Sequence, residues 1–506
     1  MQAQPALGDL AQLDVDAIVV PYLQGPSWGP GAQALDQFLD GLLSAMRDQQ
    51  EITGKFPERT VVATAGRLTA PRVVLLGLGR ADYLDGYRLR NALQFAARQT
   101  RSFCPRLAVL VEAPLTGALG AADPSLAEPA ALARAVAEGV TLGNYHLGQL
   151  KAADAPGEVE TLVVAGLGSD AEIQSALSDG VLLGEATNRT RTLQWQPSNQ
   201  LTPTQLAEQA AAVAAEAGLE FEVLERADAE RLGMGALLAV ARGSHEPLKL
   251  ISMRYRPQGR SGNGTVLGLV GKGITFDTGG ISLKANPGMS AMKSDMSGAA
   301  AVILAMSLIA RRRAPLEVVG VAPLTENMPG GGAIKPGDVV TAMNGRTIEI
   351  NNTDAEGRLI LADGLCYAAH LGANHLVDVA TLTGGVIIAL GHSISAAMGT
   401  SPDLVAKVLQ AGQLAGERIW ELPLLPEHDV ALTCDIADIR NTSGTSSSSS
   451  INGGIFLREF TGSLPWVHLD IAGSSYHEEA LLAPLVPKGP SGVMTRTLAH
   501  LPFLLA

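Results

Sequence analysis

Short apolar runs, each closed by glycine or a charged residue, recur along the whole chain and leave few architectures open. In the first third the clearest lie at 16–23 (DAIVVPYL), 72–79 (RVVLLGLG), 106–112 (RLAVLVE) and 160–168 (ETLVVAGLG). Between them sit Ala-, Leu- and Arg-rich stretches such as 86–99 (GYRLRNALQFAARQ). Strand-like runs alternating with helical segments predict an α/β arrangement with a largely parallel sheet. The same rhythm resumes at 249–255, 265–270, 316–324, 375–385 and 466–473. In between, 171–195 reads as a polar helix, the chain turns at Pro197, and a second helix restarts from Thr202. The expectation is a smaller N-terminal α/β domain, residues 1–175, and a larger α/β domain, 176–506, with a central mixed sheet.

Several function classes fall away. A net charge of −13 argues against nucleic acid or an anionic membrane as partner. The short basic run Arg311–Arg313 reads instead as a helix C-terminal cap. Cys104, Cys366 and Cys434 lie far apart without CxxC spacing, so neither a disulfide framework nor a zinc knuckle is expected, and a reducing cytoplasm suits them. The opening MQAQPALGDLAQLD has no basic and apolar leader pattern, and no apolar run reads as long enough to span a bilayer. The Gly-Leu-Gly triplets at 77–79 and 166–168 do not complete GxGxxG and read as strand-ending turns. A P-loop would need Gly at 266 and Ser or Thr at 273, where the chain has Val266 and Gly273. The histidines form no HExxH, no GxSxG nucleophile elbow stands out, and His392, His468 and His477 lack ligand spacing, so they read as structural.

What remains is oxygen-rich. The stretches 270–295 (VGKGITFDTGGISLKANPGMSAMKSD) and 352–359 (NTDAEGRL) are dense in glycine and charge. They adjoin a buried strand pattern at 265–270, a buried helix pattern at 298–310 and a β-like run at 347–352. Lys272, Asp277, Lys284 and Asp295 therefore sit at the ends of core elements, where charge is costly unless paired or metal-bound. Asp354 and Glu356 alternate, so an extended backbone would aim both the same way. Converging carboxylates suit a divalent ion such as Mn, Mg, Co or Zn. Two readings stand on spacing alone: that ion site, or an Asp-Thr-Gly-Gly turn followed by Ser294-Asp295 as a helix N-cap.

Three segments, 270–280 (VGKGITFDTGG), 292–302 (MKSDMSGAAAV) and 352–359 (NTDAEGRL), resemble the signatures of the leucyl (cytosol) aminopeptidase family. The similarity is close from 197–203 through 435–442 and 465–473, whereas the first half matches the family's variable, macro-like N-terminal domain in outline. The resemblance implies an exopeptidase that releases N-terminal leucine or other apolar residues from peptides by two-metal-activated attack of water. One divalent ion, Mn or Zn, would be held by Lys272, Asp277, Asp295 and Glu356, and a second by Asp277, Asp354 and Glu356. Lys284 would polarise the substrate carbonyl, and Arg358 would hold a bicarbonate acting as general base. Lys272 must then be neutral, and moving its pKa from about 10.4 to neutrality costs about 4–5 kcal/mol, to be met by metal binding.

The resemblance also places the first side chain in a small apolar pocket of Met292, Thr381, Gly384, Ala472 and Ser475. Ser475 departs from the larger apolar residue of some members. The run Ser446–Ser450, which replaces the Gly, Arg and Ala usual in the family, reads as a flexible loop. Family members assemble as homohexamers, with the N-terminal domain in an assembly or regulatory role. The alternative is a metal-stabilised binding or nucleic-acid regulatory protein with secondary peptidase activity; intact Lys284 and Arg358, and the acidic balance, weigh against it.

Overall fold

Continuous apolar runs become strands buried on both faces, and the computed structural model shows this twice. It describes residues 1–6, 9–25, 28–148, 150–151, 156–258, 264–444, 447–477 and 487–506. These fall into two α/β units. The first is Met1–Asn188 with the short piece Gln413–Gly416, and the second takes most of the chain from Arg189 onward. The helix Ala171–Trp195 forms over the expected span, and the division into units falls inside it.

The first unit holds six strands: β1 (Gln2–Pro5), β2 (Ala17–Tyr22), β3 (Glu58–Ala63), β4 (Arg72–Gly77), β5 (Arg106–Leu110) and β6 (Thr161–Ala165). Their order is β1-β6-β5-β2-β4-β3, parallel throughout except where β3 runs against β4. Alternate side chains feed two separate cores. Val19, Val74, Val109 and Val164 face the helices Gly86–Thr100 and Pro129–Gly143, while Ile18, Val73, Ala108 and Val163 face the helix Pro30–Phe38. β1 and β3 escaped the sequence reading because they are edge strands with half-polar sequences.

The second unit is built on a mixed sheet. Its strands are β7 (Glu220–Leu224), β8 (Lys249–Tyr255), β9 (Val266–Gly271), β10 (Gly273–Asp277), β11 (Glu317–Asn327), β14 (His375–Ala380), β15 (Ser395–Gly399), β16 (Ile419–Glu421) and β18 (Trp466–Asp470); β12 (Asp338–Thr341), β13 (Thr347–Ile350) and β17 (Ile439–Arg440) form a small separate sheet. The main order is β16-β15-β18-β14-β9-β11-β8-β7, with β10 also pairing β11. β18, β14, β9 and β11 run parallel to one another, and β8 and β15 run antiparallel to their neighbours in that group. One face packs on the helix Ser297–Arg311 and the other on the helix Gly357–His370.

The expectation that no stretch reaches membrane-spanning length needs correcting. The 23-residue helical stretch Met289–Arg311 meets that length and composition, and 89% of its apolar window is buried inside the protein. Its hydrophobicity belongs to a core helix covered on all sides.

Candidate functional site

The four parallel strands deliver their C-terminal ends to one edge of the sheet, the place where ligands collect in open α/β folds. Lys272 occupies the single-residue break between β9 and β10; its backbone N–H donates to Val379 O at 3.0 Å, and its carbonyl accepts from Ala299 N at 2.8 Å. Asp277 ends β10, Asn327 ends β11, Thr381 follows β14 and Asp470 ends β18. Asp295 closes the 3-10 turn Met289–Ser294, and Glu356 immediately precedes the helix Gly357–His370.

These elements bring the two charged motifs together. Lys272 Nζ lies 2.9 Å from Asp295 Oδ2 and 2.9 Å from Glu356 Oε1, and donates to Thr381 O at 2.8 Å. Lys284 Nζ lies 2.8 Å from Asp277 Oδ2 and 2.5 Å from Asp354 Oδ1. Carboxylate oxygens of Asp277, Asp354 and Glu356 all fall within 4.8 Å of one another. Thr353 joins the motif loops: its hydroxyl donates to Gly279 O at 2.7 Å and accepts from Ser282 N at 2.8 Å. Gly279 has φ +89°, and a Cβ there would stand 2.8 Å from Asp354 Oδ1. A Cβ on Gly357 would meet Lys272 Nζ at 2.6 Å. Both glycines are therefore required for the charged groups to approach.

Lys272, Asp277, Asp295 and Glu356 are buried, and Asp354 is partly exposed. Four carboxylates face two ammonium groups, so the cluster is short of positive charge. Burial raises the Asp277 carboxyl to about 6, with Glu356 repulsion adding to it and the two lysines opposing. Burial also raises Asp354, and raises Asp295 well above the ordinary carboxylate range. Glu356 is lowered: burial opposes ionisation, but Lys272 and Lys284 outweigh it. Burial alone would lower both lysines; the surrounding carboxylates reverse this and raise both above the ordinary lysine value. Asp295 Oδ2 and Asp354 Oδ1 are buried, and among the described residues each has only an ammonium as partner, Lys272 at 2.9 Å and Lys284 at 2.5 Å. Oxygen-rich, negative and under-bonded, the donor set fits hard or borderline divalent ions.

Two local expectations are corrected. Asp354 and Glu356 do not alternate along an extended backbone: Asp354 lies in a turn, Glu356 is already right-handed helical (φ −72°, ψ −35°), and Arg358 stands in the first helical turn. Their convergence comes from the turn-to-helix transition after β13. Nor does Ser294-Asp295 cap the following helix, whose N-cap is Met296 without a side-chain bond. The Asp295 carboxylate is spent elsewhere, accepting from Thr381 Oγ1 at 2.7 Å as well as meeting Lys272.

Arg358 is buried, its Nη1 donates to Asn441 O at 2.7 Å, and its Nε has no hydrogen-bond partner among the described residues. Burial pushes its pKa down to about 10, with Glu356 and Asp470 opposing, so it stays charged at neutral pH. The sequence reading missed Asn327, whose Nδ2 donates to Asp277 Oδ1 at 2.8 Å and to Glu356 Oε2 at 3.4 Å and so fixes two carboxylates at once. Its signal was positional, since it ends a core strand at the same sheet edge. Asn441 was missed as well: its side chain accepts from Asn351 N and donates to Asn352 O, which anchors the approach to Asp354.

A cavity of about 640 Å³ adjoins Asp354 and Arg358. Of the five residues expected around the first side chain, Gly384 lines it and Met292, Thr381, Ala472 and Ser475 do not. Thr381 is tied into the charged cluster, Met292 lies in the turn before Asp295, and Ala472 N donates to Asp470 Oδ1 at 3.2 Å. Ser475 is buried, with its carbonyl accepting from Ser491 N and Oγ. In the serine run, Thr445 and Ser446 lie outside the described residues, and Ser449 and Ser450 open the helix Ser449–Arg458.

Comparison with known proteins gives a consistent result. The model of the cytosol aminopeptidase family catalytic domain matches residues 188–499, and that of the family's N-terminal domain matches 19–154. A probable cytosol aminopeptidase of Solibacter usitatus is 43% identical over 494 residues, covering 97% of each chain. One from Alkaliphilus oremlandii is 39% identical over 507 residues, covering 99% of each. Among solved structures, the bottromycin maturation enzyme BotP, also solved in complex with Mn, superposes with a TM-score of 0.81 at 34% identity, covering 97% of this chain and 99% of that one. A mutant of tomato leucine aminopeptidase superposes with a TM-score of 0.87 at 30% identity, covering 99% and 96%.

Proposed function

Because the chain belongs to the cytosol aminopeptidase family, a family of peptidases, we propose that it releases N-terminal leucine and other apolar residues from peptides with the help of two divalent metal ions. The observation that carries this is the convergence of Asp277, Asp295, Asp354 and Glu356 on two ammonium groups at one sheet edge. Lys272, Asp277, Asp295 and Glu356 would hold one ion, and Asp277, Asp354 and Glu356 the other, with Mn or Zn suited to the oxygen-rich donors. Bound there, such ions lower the pKa of a coordinated water and polarise a carbonyl.

The chain's own groups do the rest. Asn327 and Thr381 fix the carboxylates and spare the site reorganisation on binding. Lys284 would keep its charge and steady a developing oxyanion. Arg358 anchors a small anion such as bicarbonate, for which its unpartnered Nε supplies a donor. The free α-amine of a peptide, as a neutral lone-pair donor, would suit an open position at such a site, which favours cleavage at the amino end. The residues from 189 onward supply the chemistry, and those before serve assembly, as a homohexamer, or regulation; the setting is cytoplasmic.

The test is to strip the protein with chelator, reload it with Mn or Zn, and measure metal content and hydrolysis across aminoacyl-anilides. Activity that returns in step with bound metal and favours leucyl substrates supports the reading. Full activity without metal would overturn it.

A further inference from the structure

We propose that the cavity beside Asp354 and Arg358 receives the side chain that follows the scissile bond and selects there for a neutral hydroxyl or carboxamide. The preferred substrates are then peptides with Ser, Thr, Asn or Gln in second position. This rests on the aminopeptidase reading above and narrows its substrate class.

The cavity's position indicates which part of a peptide it takes. Lys272, Asp277, Asp295 and Glu356 are buried and do not line the cavity, which makes theirs the closed end of the site. The cavity is lined by the partly exposed Asp354 and by exposed Gly444. An enzyme acting at the amino end must lodge the first residue at the closed end and let the remaining chain leave through the open one.

Its lining is polar, with hydroxyl and amide side chains outnumbering the apolar Ala355 and Leu382. Many of those polar groups are already committed. The Thr383 hydroxyl donates to Asp470 Oδ2 at 2.6 Å, and Asn351 exchanges hydrogen bonds with Thr442. Three groups are not committed among the described residues. Ser449 Oγ has no hydrogen bond; the Asn352 side chain uses only its oxygen, accepting from Asp354 N; and the Asn452 side chain uses only its nitrogen, donating to Ser443 Oγ and Ser447 O. That leaves a hydroxyl, an amide N–H₂ and an amide oxygen among the lining residues, a set that can both donate and accept. Gly385 makes room for it, since a Cβ there would lie 2.1 Å from Ser449 Oγ. A hydroxyl or carboxamide side chain satisfies these groups. A leucine side chain would cover them without partners, and sites built to hydrogen-bond a ligand discriminate strongly against analogues that lack the group.

The experiment uses the metal-reloaded full chain and compares kcat/KM for Leu-Asn, Leu-Ser, Leu-Ala, Leu-Leu and Asn-Leu, with wild type and Ser449→Ala side by side. Leu-Asn and Leu-Ser should exceed Leu-Leu by about tenfold, the scale of one to two hydrogen bonds, and Ser449→Ala should cut that ratio to about threefold. The proposal is overturned if Leu-Leu is cleaved as well as Leu-Asn, if Ser449→Ala leaves the ratio where it was, or if Asn-Leu is the better substrate. Failure to release leucine from any of them in the presence of metal would remove the aminopeptidase reading itself, and this inference with it.

Discussion

Lys284→Met keeps the reach of the side chain and removes its charge, which separates a counter-ion from a scaffold. The ammonium lies 2.8 Å from Asp277 and 2.5 Å from Asp354, and Asp277 is only 2% exposed. Removing one partner of a buried ion pair costs about 3–5 kcal/mol. Lys284 itself is 23% exposed and Asp354 33%, so water screens part of the loss and the lower end, about 3 kcal/mol, applies. On the proposed two-metal reading, saturating metal would replace the ammonium at the same oxygens. The variant's deficit should therefore shrink to about 1 kcal/mol or less in the loaded protein, the scale of a solvent-screened charge. Thermal or denaturant melts of both proteins, in chelator and in Mn, read this directly. With metal content near two ions per chain, kcat on a leucyl substrate should nonetheless fall about 10²–10³-fold, because the lost cation acts where charge develops. A variant as stable as wild type in chelator, or one that fails to fill with metal, would refute the reasoning.

Asp277→Ala should abolish metal loading and Asp354→Ala should remove only part of it, because Asp277 is buried at the centre of the cluster and Asp354 lies at its partly exposed rim; elemental analysis of reconstituted protein decides. Arg358→Ala should lower kcat and abolish any stimulation that added bicarbonate gives the wild type, and a variant still stimulated would place the anion elsewhere. Asp363 is buried on the helix Gly357–His370, and burial raises its pKa to about 7 against the hydrogen bonds from Leu237 N and Met343 N, each at 2.8 Å. A raised folded pKa adds stability that is fully present below about pH 4 and lost as pH rises through 7. Asp363→Ala removes that slope and strands two buried N–H groups, at about 1–3 kcal/mol each, so its deficit against wild type should be larger at pH 5 than at pH 8; an equal deficit at both would contradict the assignment.

Much of this was legible in the chain. Strands buried on both faces need unbroken apolar runs, so β2, β4, β5 and β6 and the centre of the second sheet stood out, whereas the edge strands β1 and β3, with one face toward water, did not. The charged residues stood out for a related reason: Lys272, Asp277 and Asp295 adjoin core segments that no solvent reaches, and such charges demand a partner.

The sequence by itself determined which chemistry was available: an oxygen-rich set of carboxylates with two lysines, carried on motifs at the ends of core elements. Only the tertiary structure decided the geometry. Asp354 and Glu356 meet because a turn passes into a helix there, and Asp277 and Glu356 share Asn327, a residue fifty positions beyond Asp277. Parallel strands put their ends on one edge whatever their distance along the chain, so contacts between Lys272 and Thr381, or Arg358 and Asn441, leave no local pattern to read. The uncommitted Ser449, Asn352 and Asn452 groups belong to the same class. Whether a polar side chain is satisfied depends on every neighbour the fold brings to it, and a linear sequence holds only the neighbours along the chain.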